Sequence, residues 1–493
     1  MGLKQLSRRN VPELPSGFES LAFDPCLISP GIVHIGLGGF HRAHMARYLH
    51  DLMGKDEGAL IWGIVGAGLR PSDKPLLEIL DGQDGLYSLV EREGARENRA
   101  LVASLIGTID ASDSSIDLLA AIDKPETRIV SMTVTENGYH LNRATKSLDL
   151  DSPAIRGDLE QPNAPRTLPG ILVEAFRRRK EAGAPAFTAL CCDNIQHNGN
   201  VVKAAVIALA NKRDSALAAW IDVHASFPNS MVDRITPVPT VSEVEAFKRQ
   251  TSLDDGASLT AELFRQWVIE DRFVAGRPAW EKVGVHFVED VTPYEFMKLR
   301  LLNGSHLAIA AVGQVQGYAL IGETIADPLI RRYMTALMDR ETGPTLPEVP
   351  GIDISQYKRK LIDRFANPAI RDTTQRVNTD APINILVDPI RDRLASGEPI
   401  DLLALGLAAW FRRLSGFDDA GQPIKLVHPL ADTLTARARE GGTDPAALLS
   451  IEPLFGELGS DDRLKSVVGE WLASIYRFGM AETLAKAAAR GLF

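Results

Sequence analysis

The chain has 493 residues, 45% hydrophobic and 24% charged, the balance of a soluble globular protein with room for two or three domains. Its net charge of −10 offers no basic field to nucleic acid or to an anionic membrane. No run approaches the roughly 20 apolar residues of a membrane span, "MGLKQLSRRNVPELPSGF" has no signal-peptide core, and three cysteines (Cys26, Cys191, Cys192) cannot frame disulfides, so a cytoplasmic location is expected.

Short β-branched runs come first along the chain. "GIVHIG" (31–36), "LIWGIVG" (60–66), "RIVSMTVT" (128–135), "FTALCCD" (187–193) and "VGVHFVED" (283–290) read as strands. Helical patterns such as "RAHMARYLHDLM" and "TLPGILVEAFRRRKEAG" lie between them. That alternation predicts an α/β half, an open and largely parallel sheet with helices on both faces. Beyond about residue 291 the strand signal stops. "PLIRRYMTALMDRE", "DLLALGLAAWFRRLSG" and "VVGEWLASIYRFGMAETLAKAAARG" are amphipathic helices separated by Gly and Pro loops. The change places a boundary within 286–292, giving a dinucleotide-binding first domain over 1–288 and a mostly α-helical second domain over 289–493.

The first strand runs into "GLGGFHRAH". Gly36 and Gly38 fit the first two positions of a Rossmann-type dinucleotide turn, where one allows the bend and the other lets backbone amides approach a pyrophosphate. His41 stands where the third glycine of G-x-G-x-x-G belongs, and an ordinary tight turn is the alternative. The expected cofactor segment is Gly36, Gly38, Gly39, Phe40, His41 and Arg42. After the second strand, "GAGLRPSDKP" offers Asp73 near Arg70. A carboxylate there accepts bonds from a ribose 2′-hydroxyl and repels a 2′-phosphate, which favours NAD, while Arg70 keeps NADP open. The alternative is that Asp73 caps the following helix with Ser72.

The stretch "FMKLRLLNGSHLAIAA" (296–311) is apolar nearly all round except for three residues. At about 100° per residue, with Lys298 at zero, His306 falls near 80° and Asn303 near 140°, while Arg300 lies near 200° on the far side. A helix apolar all round is buried, and buried polar groups need partners or a task. A desolvated lysine can take a hydroxyl proton, and Asn303 and His306 can hold a developing alkoxide. The competing reading has Lys298 snorkelling, Asn303 capping a break before Gly304, and His306 satisfied in the core. Metal and acyl-transfer chemistry find no support. The histidines are scattered, and no C-x-x-C or G-x-S-x-G occurs.

Together "GIVHIGLGGFHRAH", "SFPNSMVDRITP" (226–237), "GRPAWEKVGV" (276–285) and "YEFMKLRLLNGSHLA" resemble the polyol-specific long-chain dehydrogenases, a family that includes mannitol 2-dehydrogenases and the fructuronate and tagaturonate reductases. The resemblance runs from about residue 20 to the end. It implies a Rossmann-type N-terminal domain, a mostly helical C-terminal domain, a monomer, and zinc-independent hydride transfer between NAD and a polyol/ketose pair, mannitol and fructose first. It also implies that Lys298 is the general base and that Asn303 and His306 bind the reacting oxygen. Asn194, Asp233 and Arg376 would hold substrate hydroxyls, with Glu136 a carboxylate beside the lysine. For Asp233 the alternative is an ion pair with Arg234.

One departure bears on specificity. Mannitol-active relatives carry D-G-S-x-K after the arginine, whereas this chain reads "QRVNTDAPINILVDPIRD", with Asn384 at the lysine position and Ala381-Pro382 for Gly-Ser. A hexuronate reductase is the nearest rival reading, and Asn384 argues against it. A dinucleotide-binding protein without turnover is a rival from another class.

Overall fold

Strands rich in Ile, Val and Ala with little polar alternation are stable only where both faces are covered, which in a parallel sheet means helices on each side. The computed structural model describes residues 3–493 except 10, 12, 13, 143, 144 and 146. The chain packs as two units, Met1–Thr292 and Pro293–Phe493. In the first unit β1 (Pro30–Ile35), β2 (Gly63–Gly68), β3 (Leu105–Asp110), β4 (Ile129–Met132) and β5 (Thr188–Cys191) form one parallel sheet in the order β3-β2-β1-β4-β5. This is a Rossmann-type sheet, and its order reverses between β1 and β4.

Alternate residues of each strand feed different cores. Val33 and Ile35 of β1, Val130 and Met132 of β4 and Ala189 and Cys191 of β5 pack with Leu119, Ile171, Phe176 and Val206. Ile32, Ile129 and Leu190 pack on the other face with Leu49, Leu52, Leu80, Trp267 and Trp280.

Two of the expected strands differ most from the structure, and a hairpin appears unannounced. "LIWGIVG" begins too early, because Asp56 accepts from the Gly58 amide at 3.0 Å and opens a 3-10 turn over Glu57–Trp62. "VGVHFVED" yields only His286–Val288, which pairs with Gln266–Glu270 in a separate three-stranded sheet completed by Ser230–Asp233. The fifth central strand is instead Leu105–Asp110. The hairpin Tyr87–Glu93 with Arg96–Val102 was hidden by its charged residues, although Gly94 at φ +57° marks the turn.

In the second unit the strand signal ends as expected and helices take over. The helix Gly304–Val315 is buried along its whole length. Glu341 accepts from the Leu402 and Leu403 amides at 2.8 and 2.7 Å and so satisfies the start of the buried helix Asp401–Arg413. No helix among the described residues is long and apolar enough to cross a membrane.

Two glycines of the turn after β1 have different duties. Gly36 lies at φ +94°, and a Cβ there would fall onto the Thr133 carbonyl oxygen. Gly38 is extended, and a Cβ would meet nothing closer than the Gly36 oxygen at 3.9 Å. Gly36→Ala should therefore cost about 1–2 kcal/mol for the left-handed backbone alone, with the clash adding to it. Gly38→Ala should stay within about 0.5 kcal/mol of the parent. Chemical denaturation of both variants checks this, and equal losses would refute the division of labour.

Candidate active site

The order reversal between β1 and β4 leaves a crevice at the carboxyl ends of these strands, where open α/β sheets receive ligands. Gly36 closes the β1 end by donating to the Ala67 carbonyl at 2.8 Å, and Gly38 then caps the short helix Gly39–Ala43. A Cβ on Gly39 would meet only Thr236, at 3.9 Å, so this backbone is bare of side chains on one side. The Phe40 ring stacks on His44 at 4.9 Å.

The side chains of His41 and Arg42 turn into the fold. His41 stacks flat on His34 of β1, with ring centroids 3.4 Å apart, while His34 bonds Ser131 Oγ and Thr133 Oγ1 at 2.9 and 3.0 Å. Burial pushes His34 down to about 3 and lowers His41 as well, so both rings are neutral. The Arg42 guanidinium donates to the Ala257 carbonyl and lies 5.3 Å from the Tyr87 ring centroid. Both side chains of this expected cofactor segment are thus buried within the first unit. Asp73 closes the 3-10 turn Pro71–Asp73 by accepting from the Arg70 amide at 3.1 Å, and Arg70 pairs with it at 2.8 Å. It caps that turn rather than the next helix, whose first turn it precedes without a side-chain bond.

Two residues expected to meet substrate, Glu136 and Asn194, are exposed on the loops after β4 and β5. A carboxylate that the sequence reading missed holds those loops together. Asp193 accepts from the Val134 and Thr135 amides at 3.0 and 2.8 Å and from the Tyr139 hydroxyl. Its burial raises its pKa against those bonds. Thr135 at φ +64° and His197 at φ +50° flank the junction, and such strain persists where surroundings over-determine it. Asn198 locks the next step by donating to the Asp193 and Ser230 carbonyls at 3.0 and 2.9 Å. Asp233, 3% exposed, ends the strand that starts at Ser230. The neighbouring Arg234 pairs with Glu91 and donates to the Glu262 carbonyl at 2.9 Å.

In the second unit Lys298–Asn303 is a π-turn, with the Gly304 amide donating to the Leu299 carbonyl five residues back. On a straight α-helix Lys298 and Asn303 would be about 140° apart. A turn closed at i→i+5 brings positions five apart closer, and such turns are frequent at functional sites. Lys298 and His306 are buried at 7% and 9% exposure, with Asn303 half-buried. Arg300 points elsewhere, pairing with Asp392 at 2.6 Å and donating to the Thr345 carbonyl at 2.7 Å.

His306 is tied to Arg376 through Asp372, a second residue missed from sequence. His306 Nε2 lies 3.3 Å from Asp372 Oδ2, off the line of a good hydrogen bond. Arg376 grips the same carboxylate through Nε at 2.7 Å and a terminal nitrogen, and reaches Asp380 at 3.3 Å. Burial works to raise the Asp372 pKa, but the His306 and Arg376 contacts overcome it and hold the group below the usual carboxylate range. The signal was available: Asp372 stands four residues before Arg376 and just before Thr373, which accepts from the Arg376 amide at 3.1 Å and caps the helix Thr374–Asp380. Asn384 is exposed at the start of the helix Asn384–Ala395, 3.4 Å from Asp388. Replacing Asp372 with Asn should cost on the order of 2 kcal/mol at neutral pH. Because the folded pKa is depressed, that loss should be full above the unfolded value of about 3.9 and shrink as pH falls through the folded one. Denaturation of parent and variant from pH 7 to 3 checks this; a pH-independent difference would refute it.

Family models agree with this architecture. Residues 30–282 match the mannitol dehydrogenase Rossmann domain and residues 290–476 the mannitol dehydrogenase C-terminal domain. The mannitol 2-dehydrogenase of Aspergillus fumigatus is 39% identical over 98% of this chain and 99% of its own length. Mannitol dehydrogenase 2 of Saccharomyces cerevisiae is 41% identical over 92% and 91%. Among solved structures, Pseudomonas fluorescens mannitol 2-dehydrogenase, in ternary complex with NAD and D-mannitol, superposes with a TM-score of 0.88 at 38% identity, covering 99% of this chain and 100% of that one. A substrate-free D-sorbitol dehydrogenase gives 0.87 at 34% identity, covering 96% and 98%. With both units matched and identity near two-fifths over nearly the whole length, the chain belongs to the mannitol dehydrogenase family.

Proposed function

We propose that this protein is an NAD-dependent polyol dehydrogenase that oxidises a secondary alcohol of a hexitol or pentitol to the 2-ketose, with mannitol to fructose the first pair to test. The observation that carries the reading is a buried lysine opening a π-turn, followed on the same buried helix by Asn303 and by His306 beside Asp372. The fit of the cofactor rests on the bare backbone at Gly38 and Gly39, where a phosphate can approach, and on Asp73, whose carboxylate suits ribose hydroxyls and repels a 2′-phosphate. Bound there, NAD supplies the acceptor for the hydride. Lys298 takes the hydroxyl proton, and Asn303 and His306 stabilise the charge that develops on the oxygen. Asn194, Asp233 and Arg376 orient the remaining hydroxyls, and Asn384 and Glu136 border the same substrate. The chemistry needs no metal, and no partner beyond polyol or ketose; we read the chain as a monomer. Two of its three cysteines are buried as free thiols, which suits a reducing cytoplasm.

Arg376 favours neutral polyols over hexonates. Its guanidinium already faces Asp372 and Asp380, so a substrate carboxylate would enter beside two like charges.

NADH formation from NAD with mannitol, arabinitol, sorbitol and a set of hexonates, with and without chelator, tests the class. Chelator-insensitive oxidation of neutral polyols is expected, and activity on hexonates alone would move the protein to the reductases. Lys298→Ala should lower turnover by at least the 10²–10⁴-fold typical of a lost general base while NADH binding persists by fluorescence titration. Unchanged turnover would remove Lys298 from the mechanism.

A further inference from the structure

Arg413, at the end of the helix Asp401–Arg413, is 3% exposed, and its Nε donates to Gln314 Oε1 at 2.8 Å. Among the described residues no carboxylate pairs with it, and burial alone pushes its pKa down to about 10. Buried guanidinium groups normally meet an anion. This one lines a cavity of about 180 Å³, the space of several waters at about 30 Å³ each.

A second donor faces the same cavity. His428 Nδ1 accepts from the Leu430 amide at 3.0 Å, which leaves the ring proton on Nε2, and burial and the charge of Arg413 keep the ring neutral. Asn378 is turned away from the guanidinium's free donors by two bonds from its amide nitrogen, to Gln314 Oε1 at 3.1 Å and to the Thr374 carbonyl at 3.0 Å. Trp410 and Leu434 supply an apolar side, and the turn Asp380–Ile383 closes the cavity, with the Asp380 carboxylate paired to Arg376 at 3.3 Å. None of the residues assigned above to substrate or cofactor lines it. In a chain of net charge −10, an unpaired buried cation beside a neutral N–H donor is a recognisable feature.

We propose that this cavity is a binding site for a small oxyanion, phosphate or carboxylate, held by the Arg413 guanidinium with His428 Nε2 as a second donor. The guanidinium fork matches either group through paired N–H donors. The occupant would touch the turn that joins the helix of Arg376 to the helix of Asn384.

Isothermal titration of the full-length protein, with NADH in excess to keep the dinucleotide segment covered, tests this with inorganic phosphate and separately with acetate. At constant ionic strength, one saturable site is expected for at least one of the two anions, and which one binds identifies the source. Arg413→Gln should weaken that binding at least tenfold. Val427, exposed on the cavity wall, gives a variant that does not threaten the core: Val427→Glu puts a carboxylate at Arg413 and should abolish binding. If Arg413→Gln does not fold, Val427→Glu decides. No saturable binding of either anion, or binding unchanged in Val427→Glu, would overturn the proposal.

Discussion

Placing a lysine inside a helix that is covered on every side costs free energy, because the charged ammonium loses its water. The second unit arranges much of its local geometry around that cost. The helix Gly304–Val315 is wholly buried, and the π-turn before it narrows the angle between Lys298 and Asn303 from that of straight α-helical geometry. Gly304 continues the turn in ordinary helical geometry, and a Cβ there would meet the Ile385 carbonyl only at 3.5 Å. Arg300, two residues on, is drawn to the opposite side by Asp392.

Buried carboxylates do the corresponding work between elements. Asp193 binds the loop after β4 to the loop after β5, and Asp372 binds His306 to Arg376. Glu91 sits between Arg47 and Arg234, and Asp255 accepts from Ser88 and Gln83 across the first unit. An ionised or hydrogen-bonded carboxylate fixes two or more donors at once, and losing one strands those donors in a low-dielectric interior. Loops that carry Glu136 and Asn194 are therefore held at their roots while their tips stay exposed.

The legible parts of this protein were those written in local pattern. The α/β alternation, the switch to helices near residue 291 and the polar sector of the Lys298 helix are all periodicities, and periodicity survives in a single sequence. What escaped was fixed by tertiary contact. The π-turn has no simple sequence signature, so the wheel misjudged the angle between Lys298 and Asn303. Asp193 acts through amides and a hydroxyl far along the chain, and nothing beside it announces those partners; Asp372 stands four residues from Arg376, but its other partner, His306, lies on a different helix. Strand Leu105–Asp110 displaced "VGVHFVED" from the central sheet because sheet membership depends on pairing, which a strand's own composition does not encode.

His41 shows how an imperfect motif can mark an intact turn. The third glycine of a dinucleotide fingerprint is there for close packing of helix on strand, not for contact with phosphate. Here the same space is taken by an imidazole lying flat on His34, itself anchored to Ser131 and Thr133 at the edge of β4. Two neutral rings at van der Waals distance fill the gap without a charge to desolvate, and they stiffen the ground under Gly36. The helix accommodates the added bulk by ending early, at Ala43, and resuming at Met45 after His44 leaves helical geometry at φ −112°, ψ −89°. The departure from the glycine pattern is therefore a side chain buried against β1, and it leaves the turn at Gly36 and Gly38 intact.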